Sequence, residues 1–518
     1  MPAWRTRIRS TLSAAATPAL PDLFFAVLLL VAFGRPLTLQ GLLADGDTGW
    51  HIRTGDFILQ SLRVPVQDLF SFSRPGEPWF AWEWLADVFF SLGYRWHGLA
   101  GVALLSAAVI CFAAACLLCW LLRRGAGFWL AAAVTLAVVN ASSVHYLARP
   151  HIFSLLWFTV GLWIVDEDRR RQTRWLWALI PLAALWANLH GAFVAWLATL
   201  LVLVATAALE RNRLAVRRYA LLAALSAAAT LANPYGWRLH EHIAHYLRSS
   251  WILDNVQEFQ SPSIRSENMV VFAGLLLAGV ALASRALSRR QWFEGGLALV
   301  WGLAALRSAR HIPLYAIAAA PVLASECAAW WEAWSARAPA RSLGRIFRQA
   351  GLDLGRSARL SLWAPVLGGL ALAVSLPRAG LADFPDVRFP VAAVARNSHR
   401  LAPTAQGQPR ILTSDQWGDY LIFRFYPRQR VFFDGRSDFY GPALGRDYQI
   451  LLMADRHWPE VLARYRFDVA LLPRDWPLAR ILERDPEWQL VDRDALGDLL
   501  VRRVPPLKKE CGLADGKD

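Results

Sequence analysis

The sequence predicts a mainly α, polytopic membrane protein with a small C-terminal α/β domain. Three observations carry that expectation. The chain of 518 residues is 56% hydrophobic and 18% charged, whereas a soluble domain is about 45–50% apolar and about 25% charged. Apolar runs of about 16–22 residues recur from Leu23 to Leu376, and about 20 residues cross a hydrocarbon core. After the last run the sequence becomes a mixed, charged tail. This composition argues against a soluble enzyme, a disordered chain and a disulfide scaffold.

The apolar runs place helices at 22–43, 99–121, 128–145, 152–166, 175–189, 192–209, 218–232, 268–284, 293–308, 312–331 and 360–377, about eleven spans in all. The first run follows Arg5, Arg7 and Arg9. It is too long for a signal-peptide core and is not followed by a small-residue cleavage site, so it reads as an uncleaved helix. Domain bounds follow at 1–377 for the membrane part and 378–518 for the tail. In the tail, 410–413, 430–433 and 468–472 look like short buried strands, 416–425 and 445–454 like helices, and 488–491 with 498–502 like a closing hairpin. No Gly-rich phosphate loop is present.

The formal charge of +15 does not read as a nucleic-acid surface. Nearly all the basic residues are arginines, and most lie in short loops: the N-terminus, Arg123-Arg124, Arg169 to Arg174, Arg211 to Arg218, Arg285 to Arg290 and Arg337 to Arg359. Such loops belong in the cytoplasm. The alternate set then faces outside: 44–98, the turns near Arg149, Gly191 and Arg310, and 233–267. An odd span count puts the tail outside too. The Arg, Ala and Leu bias suggests a GC-rich bacterial genome, and so a bacterial inner membrane. Cys111, Cys116, Cys119, Cys327 and Cys511 have no metal-site spacing and read as small apolar residues.

The unusual polar residues fall on the outer side. The first outer loop carries Asp45, Asp47, His51, Arg53, Asp56, Asp68, Glu77 and Glu83. Residues 48–62 can form an amphipathic helix lying on the membrane, with Trp50, Ile52 and Phe57 to Leu59 towards lipid. Asp47 and His51 would share its face, and Asp47 alone also suits a helix cap. Other outer turns bring Arg149-Pro150-His151, Asn188-Leu189-His190-Gly191, Asn233-Pro234-Tyr235-Gly236, the histidines His240, His242 and His245, and Arg310-His311. Ionisable residues beside apolar spans are functional candidates. Together they describe a polar cavity at the outer surface. Arg and His there suit a phosphate, and a carboxylate suits deprotonation of an acceptor hydroxyl. Carboxylates with phosphate oxygens also suit Mg or Mn, with Asp45 and Asp47 as ligands; zinc is disfavoured because His240 and His242 point apart on a helix.

Asp45-x-Asp47 in a long loop after one helix resembles the GT-C superfamily of integral-membrane glycosyltransferases, to which protein O-mannosyltransferases and lipid A aminoarabinose transferases belong. The chain is more closely similar to a group of bacterial membrane proteins described as uncharacterised or as glycosyltransferases. The shared motifs are Asp45 to His51, Trp82-Glu83-Trp84-Leu85, Arg149 to His151, Asn188 to Gly191, Asn233 to Gly236, Arg310-His311, Trp417-Gly418-Asp419-Tyr420-Leu421 and Phe433-Asp434-Gly435-Arg436. In two places this chain departs from the group: Gly49-Trp50 replaces two tryptophans, and Trp82-Glu83 replaces His-Glu, which argues against metal at Glu83. The resemblance implies a multi-helix GT-C-like fold, a polyprenyl-phosphate sugar donor and a catalytic Asp in the first loop.

The expected function is transfer of a sugar from polyprenyl phosphate to an envelope acceptor, by inversion with one base opposite the leaving group. Asp47 is the expected base, with Asp45 as partner or metal ligand and Glu83 as a second acid or metal ligand. His51, Arg149, His151, His190, Arg310, His311 and Arg436 are the expected substrate-binding residues. For Arg436, a turn after a strand is the competing structural reading. Two other functions stand beside this one: a lipid or solute transporter, and a non-catalytic assembly protein on the same scaffold.

Overall fold

The computed structural model describes residues 17–265, 267–339, 341–356, 358–375, 381–403 and 407–503. Expectations for Arg5, Arg7, Arg9, Cys511 and the end of the last span at 376–377 lie outside the described residues. The chain divides into two compact units: Met1–Gln67, Pro78–Pro385 and Ser437–Phe439 in one, Asp68–Glu77, Asp386–Arg436 and Tyr440–Asp518 in the other.

The named elements of the first unit are helices, joined by irregular chain and one isolated bridge, Gln67 to Pro78. Among the described residues four helical stretches are long and apolar enough to cross a membrane: Trp84–Arg123, Phe128–His145, Met269–Ser288 and Ala309–Arg337. Shorter apolar helices cover Leu20–Phe33, Arg174–Ala187 and Phe193–Leu209. The most apolar windows of Trp84–Arg123 and Ala309–Arg337 are each 78% buried, against 33% and 22% for the other two. The first pair therefore forms the centre of the bundle, and the second pair turns most of its apolar surface outward, as a lipid-facing helix must.

Local chemistry sets where these helices break. The expected helix at 22–43 is two helices, Leu20–Phe33 and Pro36–Leu42, because a proline cannot donate to the preceding turn and suits a helix start. The helix Trp84–Arg123 begins well before the expected Leu99 and kinks at His97 and Gly98. Gly98 has φ +58, a conformation that glycine adopts without a Cβ penalty. The loop 44–98 therefore contains two helical stretches, with irregular chain between Ser61 and Trp84.

The expected helix in that loop is present as Asp47–Ser61, but only Phe57 and Leu59 of its expected lipid side keep partial exposure. Trp50, Ile52 and Ile58 are buried, and a Cβ at Gly55 would come 2.0 Å from the Asp87 carbonyl oxygen. Glycine lets this helix pack backbone to backbone against Trp84–Arg123, and the packing buries residues that its amphipathic pattern offered to the membrane. Elsewhere in the core Trp186 and Trp196 stack at 6.1 Å between ring centroids, and Trp301 meets Phe158 edge to face at 5.7 Å.

The second unit is α/β. Four strands, β1 (Ile411–Leu412), β2 (Val469–Pro473), β3 (Trp488–Arg493) and β4 (Gly497–Arg502), form one sheet in the order β1-β2-β4-β3. β1 and β2 are parallel, and β4 runs antiparallel to both β2 and β3. The first four residues of β2 are buried, as its continuous apolar sequence requires of a central strand. Helix Asp415–Phe425 begins at Ser414, whose hydroxyl accepts the Trp417 N–H. The expected strand at 430–433 is reduced to a single bridge, Val431 to Ser71. Its aromatic residues pack instead, with Phe433 stacked on Tyr448 at 4.3 Å.

Candidate functional site

The Asp45–Asp47 segment is shaped by its own carboxylates. Asp45 Oδ1 accepts the Asp47 backbone N–H at 2.9 Å, so Asp45, not Asp47, satisfies a free N–H at this helix start. The Asp47 side chain is thereby released to point elsewhere. The Thr48 hydroxyl donates to the Ala148 carbonyl at 3.0 Å, and the Ala148 N–H donates to the Leu42 carbonyl at 2.7 Å. These bonds hold the Arg149 turn against the start of the Asp47–Ser61 helix.

Arg149 gathers three carboxylates. Its Nη2 lies 2.7 Å from Asp47 Oδ2, and its Nη1 lies 3.2 Å from Asp45 Oδ2 and 2.6 Å from Glu258 Oε1. Glu258 also faces Arg310, whose Nε is 3.4 Å from Oε2. Arg310 donates to the Tyr246 hydroxyl at 3.2 Å and lies over the Phe259 ring at 4.7 Å. The segment carrying Glu258 is fastened by Ser308, whose hydroxyl donates to the Glu258 carbonyl, and by the Ala309 N–H on Gln260.

A second carboxylate sits between two histidines. Glu83 precedes the helix Trp84–Arg123, with His51 Nε2 at 3.8 Å from one oxygen and His190 Nε2 at 3.5 Å from the other. Each imidazole is fixed by its other nitrogen: His51 Nδ1 to Asp87 at 2.6 Å, and His190 Nδ1 to the Ser154 hydroxyl at 2.8 Å, which also accepts the Trp186 indole N–H. His151 hydrogen-bonds to the His145 carbonyl, and its ring centroid is 6.3 Å from that of His190.

Burial governs the electrostatics. It pushes Asp47 up to about 7 against the pull of Arg149, with Asp45 and Glu258 adding to the rise. It likewise pushes Glu83 up to about 8, opposed by Arg149 and Arg310. Burial would also raise Glu258, but Arg149 and Arg310, joined by His145 and His151, outweigh it and hold Glu258 below the usual carboxylate range. Burial lowers both His51 and His190, helped by the nearby cations. Near neutral pH the arrangement therefore offers an ionised Glu258, a half-ionised Asp47, a protonated Glu83 and neutral histidines. Asp47 Oδ1 and the Trp50 indole nitrogen are both buried without a well-formed hydrogen bond.

Asp45, Asp47 and Arg149 are thus in one cluster, and Glu83, His51 and His190 in another, with His151 beside them. His311 turns away: its Nδ1 meets the Ala304 carbonyl at the end of the preceding helix. Arg436 lies in the second unit, buried, with its guanidinium on Asp434 and on Asp68 at 2.9 Å. Asn188 and Tyr235 serve the scaffold. Asn188 accepts the Trp84 indole N–H, and the Tyr235 hydroxyl accepts the Ala81 N–H and donates to the Pro65 carbonyl.

Glu258, Asp87, Tyr246 and His145 complete the site without having been singled out by sequence. Asp87 carried a usable signal, an acid one helical turn after Glu83 at the edge of a long apolar run. Glu258 carried none, since it is one polar residue in a polar stretch.

The carboxylates as arranged do not fit Mg or Mn. Both Asp45 oxygens, one Asp47 oxygen and one Glu258 oxygen are engaged by backbone or by Arg149. Among the described residues no group of three His, Cys, Asp or Glu side chains is disposed to hold a metal ion.

The fold of the chain is similar to that of two solved membrane-enzyme structures. One solved structure with the same architecture is the archaeal oligosaccharyltransferase AglB from Archaeoglobus fulgidus, in complex with an inhibitory peptide and a dolichol-phosphate; the match has a TM-score of 0.57 and 12% identity over 88% of this chain and 69% of that one. A second is the Archaeoglobus fulgidus oligosaccharyltransferase tethered by a disulfide bond to an acceptor peptide containing the NVT sequon, with a TM-score of 0.51 and 12% identity over 88% and 68%. At that identity the likeness is one of fold. No protein-family model and no curated protein sequence matches the chain.

Proposed function

We propose that the chain is a membrane glycosyltransferase that moves a sugar from a polyprenyl-phosphate donor to an extracytoplasmic acceptor. The observation that carries this reading is Asp47: a buried carboxylate, raised to about 7, whose Oδ1 lies outside the Arg149 ion pair, in a fold like that of the oligosaccharyltransferases. A base for an alcohol or amide acceptor needs a pKa near the operating pH and a lone pair within reach of the acceptor proton. The dolichol-phosphate and peptide in the AglB structure support a lipid-linked donor and a separate acceptor. Outside the cytoplasm there are no nucleotide sugars, which points the same way.

In the proposed step the acceptor proton passes to Asp47 Oδ1 as the acceptor heteroatom bonds to the sugar anomeric carbon. The bond from that carbon to the phosphate oxygen breaks, and its electron pair leaves with polyprenyl phosphate. Attack opposite the leaving group inverts the anomeric centre. Arg310, less tightly engaged than Arg149, supplies charge to the leaving phosphate. Glu83, protonated at neutral pH, donates a hydrogen bond to the donor, and His51, His151 and His190 line its place. Asp45 and Arg149 orient Asp47. No step needs Mg or Mn. The setting is a bacterial inner membrane with the residues after 378 outside, so that donor, acceptor and carboxylates meet at the headgroup level.

The test is mass-spectrometric profiling of envelope glycans and glycolipids in a deletion strain complemented with wild type or with Asp47→Asn at matched protein levels. One sugar missing from both the deletion and the Asn strain identifies a transferase and its donor. An Asn strain with wild-type glycans removes Asp47 as base.

A further inference from the structure

We infer that the Arg149 guanidinium occupies the position a divalent cation would take among Asp45, Asp47 and Glu258. Three carboxylates from two separate segments converge on this one side chain, at 3.2, 2.7 and 2.6 Å. Carboxylate oxygens drawn from different segments towards a single point are also the donor set of Mg²⁺ or Mn²⁺, which take oxygen ligands. Here a planar cation with several N–H donors fills that point. The guanidinium stays charged at any physiological pH and needs no supply of metal.

The neighbouring groups leave no room for both cations. A divalent ion at the same oxygens would sit against the guanidinium with little water between, since the side chains of Asp47 and Arg149 are only 6% and 21% exposed. The nearby histidines are turned to other partners: His51 and His190 present Nε2 to Glu83 at 3.8 and 3.5 Å, and His151 Nε2 meets the His145 carbonyl. Arg310 balances the remaining negative charge through Glu258. Arg149 thus orders the acidic side chains as a metal would, through directed hydrogen bonds instead of coordination.

The test reads metal uptake, not turnover, so it stands or falls separately from the sugar-transfer reading. The full chain, purified in detergent and freed of metal by chelator, is titrated with Mn²⁺ while the free ion is followed by electron paramagnetic resonance. Wild type is expected to leave the Mn²⁺ signal free. Arg149→Gln, which uncovers the three carboxylates, is expected to take up one ion per chain, and adding Glu258→Gln is expected to weaken that uptake by about tenfold or more. Arg149→Lys keeps a positive charge in place and is expected to stay metal-free. Two results overturn the inference. One is stoichiometric Mn²⁺ on wild type that Asp47→Asn or Glu258→Gln abolishes, a result that needs no Arg149 variant to fold. The other is a folded Arg149→Gln that binds no Mn²⁺.

Discussion

Arg149 Nη2 lies 2.7 Å from Asp47 Oδ2, yet the Asp47 carboxyl is raised, not lowered. Burial of the carboxylate opposes the guanidinium, and Asp45 and Glu258 compete for the same cation. The result is an acid poised near neutral pH and held in a fixed direction. That is what a general base needs, since its ionised form must be populated and still basic enough to accept a proton.

The pH dependence of sugar transfer should be bell-shaped. Asp47 acts deprotonated, so the rate rises as pH passes about 7. Glu83 acts protonated, so the rate falls as pH passes about 8. These values belong to interacting groups and appear as apparent constants of the site. Initial rates in isolated membranes across pH 5 to 10, on either side of both values, are the measurement. Glu83→Gln should remove the alkaline limb while keeping the acid limb; an unchanged alkaline limb would take Glu83 out of the reaction.

Arg149→Lys should slow transfer by about tenfold or more while leaving the fold intact, because a point charge cannot hold three carboxylates as a planar fork does. The loss should fall mainly on turnover and little on donor affinity, since Arg149 is committed to carboxylates and not to phosphate. Arg310→Gln should do the reverse and weaken donor binding. Donor titrations on both variants distinguish the two roles, and equal donor affinity in Arg310→Gln and wild type would remove Arg310 from the phosphate.

Gly55→Val should destabilise the first unit. Even a Cβ at Gly55 would come 2.0 Å from the Asp87 carbonyl oxygen and 2.7 Å from the Ser91 Cβ, and overpacking of this kind costs about 1–3 kcal/mol. Thermal unfolding in detergent should show a lower midpoint. A variant as stable as wild type would mean that the two helices pack less closely than described.

Arg436→Ala should destabilise the second unit by about 3–5 kcal/mol, because Asp68 and Asp434 would keep buried charges without their partner. Both carboxylates are fully buried, and Asp434 also accepts the Tyr440 hydroxyl at 2.6 Å. Faster limited proteolysis of the tail is the expected readout. If Arg436→Ala resists proteolysis like wild type but loses sugar transfer, Arg436 contacts substrate and is not a structural residue.

The sequence by itself determined the class of the molecule. Runs of apolar residues long enough to cross a bilayer must be helices, because lipid offers no partner for backbone N–H and C=O groups. The continuous apolar run at 469–472 marked a buried central strand for the same kind of reason. The motifs at Asp45 to His51, Arg149 to His151 and Asn188 to Gly191 were legible because ionisable residues stand out beside apolar spans. Their partners were not legible. Asp45 and Arg149 are 104 residues apart in the chain, and Arg149 and Glu258 are 109 apart. No local spacing records a contact across such a distance. Tertiary packing also decided which face of the helix Asp47–Ser61 was buried and that Arg149 meets carboxylates. Periodicity fixes how residues are spaced along an element, whereas the neighbours that fill its surface are set only when the chain closes on itself.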